Sequence, residues 1–199
     1  MGNMMAEKYS EEEKKIINVG AASGLLGIAI FTAVIGICMY QNEWFDITKH
    51  AFSDLGVYGA YPYMFSAGMI VTGLCVIVFA FGLGQYLPRK LAPSSLGFFL
   101  GGIGLVGVGV FPSGTLHLGS VFFMLGCFAV SLIFLLAHYT AAKESNMAGL
   151  TLAIGFSSIF ALMYFTGFAI PEAVLFIGLA LYVLIHAVKM AAVSNFFKS

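Results

Sequence analysis

Long apolar runs, broken by short polar stretches, fill nearly the whole chain. They fall at 16–40, 61–86, 91–110, 118–139, 147–168 and 172–190. Each is close to the roughly 20 residues a helix needs to cross the hydrocarbon of a bilayer. The runs are continuous rather than alternating, which predicts helices and excludes a closed β-barrel. The expected fold is all-α: a polytopic transmembrane helical bundle of six spans, one integral membrane domain over 1–199. At the start of the first span, Ser10 and Glu13 have the spacing of a capping box. This span is too long for a signal-peptide core and has no small-residue cleavage site after it.

Composition agrees with this reading. Hydrophobic residues make up 60% of the chain and charged ones 9%, with a mean hydropathy of +0.98, so lipid must be the solvent for most side chains. With the N-terminus inside, Lys8, Lys14, Lys15, Arg89, Lys90, Lys143, Lys189 and Lys198 all lie on the inner side. Lys49 alone of the 9 basic residues lies outside. The positive-inside bias therefore predicts cytoplasmic termini and a multi-pass protein of the cell membrane. Zero net charge and the lack of a basic cluster argue against nucleic acid as a partner. Gly2 is not followed by the Ser or Thr of an acylation motif. Cys38, Cys75 and Cys127 sit in separate spans without metal-ligand spacing and read as small buried hydrophobes.

The glycines predict how the helices pack. In the third span Gly97, Gly101, Gly104 and Gly107 form a stripe on one face, and Gly102 and Gly109 a second, looser line. Small residues let membrane helices approach closely, so this span is expected to be central and tightly packed. Gly20, Gly24 and Gly27, with Ser23, predict close packing in the first span. Besides membrane lipids, the partner such glycine-rich faces offer is a second copy of the chain. Tyr40, Trp44, Phe45, Tyr58, Tyr61 and Tyr63 form an outer aromatic belt. No internal repeat marks an inverted-repeat transporter.

The polar side chains gather on the outer side. In the loop at 42–56, His50, Ser53 and Asp54 have i, i+3, i+4 spacing and would share one face of a helix. His117 opens the fourth span and Glu172 the sixth, so topology brings His50, Asp54, His117 and Glu172 to one membrane level. Ionisable groups beside hydrocarbon are costly, which makes a shared pocket one reading. The structural reading is that Asp54 caps a turn, Glu172 complements a helix dipole and His117 is a hydrogen-bonded interface histidine. If the pocket is functional, Asp54 and His117 form its core, with His50 as ligand or base and Ser53 as orienting group. His50, Asp54 and His117 would suit zinc, with an open position for water or substrate. His138 and His186, near inner helix ends, read as interfacial residues.

The run His50-Ala51-Phe52-Ser53-Asp54-Leu55-Gly56, with Tyr61-Pro62 opening the second span, resembles the signature of the family called domain of unknown function 998. Gly107, Gly109, Phe111, Pro112 and His117 stand where that family has a Gly-rich third span ending in Phe-Pro and then a histidine. The Ser-Asp-x-Gly step is also similar to the Frag1/DRAM/Sfk1 group of lipid-linked membrane proteins. A looser similarity runs to seven-helix metal-dependent hydrolases such as alkaline ceramidases and adiponectin receptors. From that class the chain departs by its six spans and by a His186 without a His-x-x-x-His partner. These resemblances imply a bundle architecture, and the outer polar residues leave two competing functions. One is a metal-dependent hydrolase acting on a lipid-like substrate from the outer face. The other is a non-enzymatic module that binds lipid or another membrane protein there. The lack of charged residues at mid-membrane depth disfavours an ion conduit.

Overall fold

The computed structural model describes residues 9–165 and 168–193. Lys8 and Lys198, on which part of the charge asymmetry rests, and the end of the fifth span at 166–167 lie outside the described residues. Those described form six helices and no strand: α1 (Glu11–Tyr40), α2 (Pro62–Tyr86), α3 (Ala92–Val110), α4 (Gly114–Ala141), α5 (Ser145–Tyr164) and α6 (Ala169–Val193). A short 3₁₀ turn, Phe52–Gly56, interrupts the loop between α1 and α2. Five of the helices are long and apolar enough to cross a membrane, and α5 carries a shorter apolar stretch, Ser145–Ala161. Many large apolar side chains point outward, among them Phe122, Phe134 and Phe156. In water such a surface would be an aggregation liability, and in lipid it is the expected exterior. The protein is a multi-pass membrane protein.

Helix ends follow local chemistry. α1 begins at Glu11, five residues before the apolar run, because Ser10 Oγ accepts from the Glu13 amide at 3.3 Å and Glu13 Oε2 from the Ser10 amide at 2.7 Å. α4 likewise starts ahead of its expected residue, at Gly114, whose φ of +85° a side chain would resist. α6 begins at Ala169, with Pro171 in its first turn, where its missing N–H costs nothing.

Each helix packs against the next in sequence, and α1 closes the ring against α6. Both glycine lines of α3 are used. A Cβ on Gly97 or Gly101 would collide with Ser131 and Phe128 of α4, and one on Gly104 would come within 2.8 Å of Met124. On the other flank, a Cβ on Gly102 would lie 2.8 Å from Ile77 and one on Gly109 2.6 Å from the Ser66 carbonyl, both of α2. α3 is thus held closely on two sides. In α1, a Cβ on Gly20 would lie 2.7 Å from Gly82, and Gly24 faces Phe79 and Val183.

Candidate functional site: outer loop and bundle interior

The outer loop is a folded cap whose first anchor is Asn42. Its side-chain amide donates to the Cys38 carbonyl at 2.7 Å. Its carbonyl oxygen accepts from the Trp44 indole at 3.0 Å and from the Ala60 amide at 2.8 Å. Asn42 thereby ties both ends of the loop to the top of α1, and it is 4% exposed. Asp46 then closes a tight turn. Its carboxylate accepts from the Thr48 amide and hydroxyl and pairs with Lys49 at 2.8 Å. The Lys49 and Thr48 hydrogen bonds hold the Asp46 carboxyl well below the usual carboxylate range, and the same pairing raises Lys49.

His50 follows this turn, and it does not share a helical face with Ser53 and Asp54. The 3₁₀ turn starts only at Phe52, and Ala51 before it is extended at φ −108°, ψ 154°. His50 therefore points into the loop. Its Nδ1 accepts from the Asp46 amide at 3.0 Å, and its ring sits edge-on to Trp44 at 5.1 Å and stacked on Phe45 at 5.7 Å. Asp54 turns back on its own turn, accepting from the Ala51 amide at 2.9 Å, as a capping carboxylate does. Ser53 is half-buried in that turn.

Two long-range bonds fasten the cap to the opposite end of the chain. The Phe52 amide donates to Glu172 Oε2 at 2.8 Å, and the Ala169 amide donates to the His50 carbonyl at 2.8 Å. The first satisfies a loop amide and the second an orphan donor of the α6 N-terminus. Glu172 is thus the residue that joins loop and bundle, and Asp54 is within its electrostatic reach.

His117 lies at a different corner. It is buried, and its Nδ1 is 2.7 Å from the carbonyl of Phe111, the residue that ends α3. It closes the α3–α4 turn, whereas the 3₁₀ turn packs on α1 and α2. Among the described residues the hydrogen bonds of Asp54 and His117 are all local, and none joins the two. Among the described residues no group of three or more His, Cys, Asp or Glu side chains is placed to hold a metal ion, so His50, Asp54 and His117 are not assembled as ligands.

The chain matches a family model, "Protein of unknown function (DUF998)", over residues 25–193. It belongs to the DUF998 family. No curated protein and no solved structure matches it. The matched region starts inside α1 and ends with the last residue of α6, so the DUF998 unit comprises the ring of helices and its outer cap.

Two features inside the DUF998 bundle escaped the sequence reading. His186 is fully buried between helices, its Nε2 2.7 Å from the Tyr139 hydroxyl of α4 and its Nδ1 2.8 Å from the Tyr182 carbonyl one turn earlier. Tyr182 stacks on its ring at 4.4 Å. An imidazole amid apolar spans needs such partners, and here they tie α6 to α4. The signal was Tyr182 and His186 one turn apart, on a face the sequence could not orient. The second feature is a cavity of about 70 Å³ in the centre of the bundle. Gly24, Gly27, Val76, Phe98, Phe128 and Val183 form much of its wall, and Ile28, Thr32 and Ala180 mark its edge at the α1–α6 seam.

Proposed function

We propose that this DUF998 protein is a non-enzymatic lipid-binding module of the cell membrane, built from six spans with both termini on the cytoplasmic side. The central cavity carries the reading. Its wall is almost wholly apolar, it lies among α1, α2, α3, α4 and α6, and its edge reaches the partly exposed residues Ile28, Thr32 and Ala180. A closed apolar core would gain by filling such a space, since unfilled volume forfeits contacts. A cavity of this size takes a short apolar segment entering sideways from the bilayer. The outer carboxylates and histidines support this reading over hydrolysis, because each is engaged with nearby backbone. Asp54 and Glu172 hold amides, and His50 and His117 hold loop and helix ends.

The test is photolabelling of the reconstituted protein with a diazirine-bearing long-chain alkane. Adducts should concentrate on residues lining the cavity in α1 and α6, above the level at lipid-facing Phe122 and Phe156. Ala180→Phe, which puts a ring at the seam, should remove the excess. Equal labelling of cavity and lipid-facing residues would overturn the proposal.

A further inference from the structure

The α1–α6 seam, on which the cavity borders, is packed differently at its two ends. Away from the cap, a Cβ on Gly24 would lie 2.9 Å from Val183 and one on Gly20 3.2 Å from Met190, so α1 lies directly against α6 side chains. Toward the cap that closeness ends. One turn beyond Thr32, a Cβ on Gly36 would meet nothing within 4 Å among the described residues. An aromatic pair closes the cavity in this half. Phe31 of α1 and Phe176 of α6 meet with ring centroids 4.6 Å apart. Both line the cavity: Phe176 is its α6 residue nearest the cap, and Phe31 lies in the last turn of α1 that lines it. Their chain neighbours Thr32 and Ile177 are exposed.

The outer cap bridges the same seam above that pair. Its base is on α1, where Asn42 bonds to the Cys38 carbonyl, and its 3₁₀ turn packs on α1 and α2. From there it reaches α6 through the Phe52 amide on Glu172 Oε2 and the His50 carbonyl on the Ala169 amide, both at 2.8 Å. Glu172 stands one turn before Phe176, on the same face of α6. Contacts therefore run from cap to Glu172, along one helical turn to Phe176, and across to Phe31 and the cavity. Helix ends open at lower free energy than packed interiors, so the first turns of α6 depend on these ties. Resting on the reading of this cavity as a lipid site, we infer that the outer cap is a strap controlling lipid entry. Its hold on Glu172 keeps Phe176 against Phe31, and its release opens the α1–α6 seam to the bilayer. Glu172, which does not line the cavity, is a positioning residue acting through Phe176.

Timing the entry of the diazirine alkane distinguishes this inference from the reading beneath it. Nanodiscs holding the full-length protein are mixed with the probe and photolysed after increasing delays, each series normalised to its own plateau. Glu172→Ala and Phe176→Ala should shorten the half-time of cavity labelling by roughly two- to tenfold, the weight of one hydrogen bond or one aromatic pair. Glu172→Gln keeps a carbonyl oxygen for the Phe52 amide and should retain the wild-type half-time. Phe176→Ala leaves the cap untouched, so it tests the ring pair even if Glu172→Ala does not fold. In the double variant the two gains should not multiply, because both act through one contact. An unchanged half-time in Phe176→Ala, or in folded Glu172→Ala, would overturn the strap while the lipid site stands. Gains that multiply would also overturn it, since Glu172 would then act by another route. If wild type shows no excess labelling of the cavity at the longest delay, the lipid-site reading falls and the strap with it.

Discussion

Asn42 does more for the outer cap than any ionisable residue in it. One amide side chain bonds to the end of α1, to the Trp44 indole and to the backbone of Ala60. Removing it would leave a carbonyl, an indole N–H and an amide short of partners near the membrane surface. We expect Asn42→Ala to lower the melting temperature of the detergent-solubilised protein, at a cost of about 1–3 kcal/mol for the stranded groups. Trp44 is the single tryptophan, so its emission reports the loop directly. A red shift in Asn42→Ala, with far-UV helicity unchanged, would localise the damage to the cap. An unaltered spectrum and melting temperature would show that the loop is held by its contact with α6 instead.

At the scale of elements, glycine decides which helices touch. α3 approaches α4 along Gly97, Gly101, Gly104 and Gly107, and α2 along Gly102 and Gly109. Around Gly104 the nearest atoms to an added Cβ include the backbone N and Cα of Met124, both at 2.9 Å, which cannot rotate away as a side chain can. Gly104→Leu should therefore destabilise the solubilised fold by about 1–3 kcal/mol through overpacking. On α4, a Cβ added to Gly126 would meet nothing within 4 Å, so that position provides the control. Gly126→Leu should leave the melting temperature nearly unchanged. Equal losses in both variants would mean that helix propensity or lipid contact, rather than the α3–α4 seam, sets the response.

For the whole molecule, orientation rests on segregated charge. Lys14, Lys15, Arg89, Lys90, Lys143 and Lys189 share one side with odd-numbered helix starts and even-numbered helix ends, and Lys49 lies on the other. With α5 counted as a span, this charge bias predicts that both termini face the cytoplasm and that the cap bearing Asn42, His50 and Asp54 faces out. Intact cells treated with a membrane-impermeant maleimide should then label a cysteine placed at exposed Thr48 and spare one placed at exposed Lys143. Labelling of Lys143→Cys but not Thr48→Cys would invert the protein. Labelling of both would mean that one of α2, α3 and α4 does not cross.

What the sequence determined alone was local or averaged over many residues. The apolar runs located all six helices, because burial of about 20 consecutive apolar residues depends on composition and not on partners. Ser10 and Glu13 fixed the start of α1, since a capping box closes within four residues. The α3 glycines announced close packing because a missing side chain is visible in sequence. The motif around His50 and Asp54 pointed to the DUF998 family that the match over residues 25–193 establishes. What only the tertiary structure decided was which distant group meets which. Phe52 and Glu172 are 120 positions apart, and Tyr139 and His186 are 47 apart. No periodicity encodes such pairs. The extended backbone at Ala51 turned His50 away from the face its spacing suggested. Helix formation in a membrane is dictated by the solvent, whereas the partners of its polar groups are chosen by the packing of the whole ring.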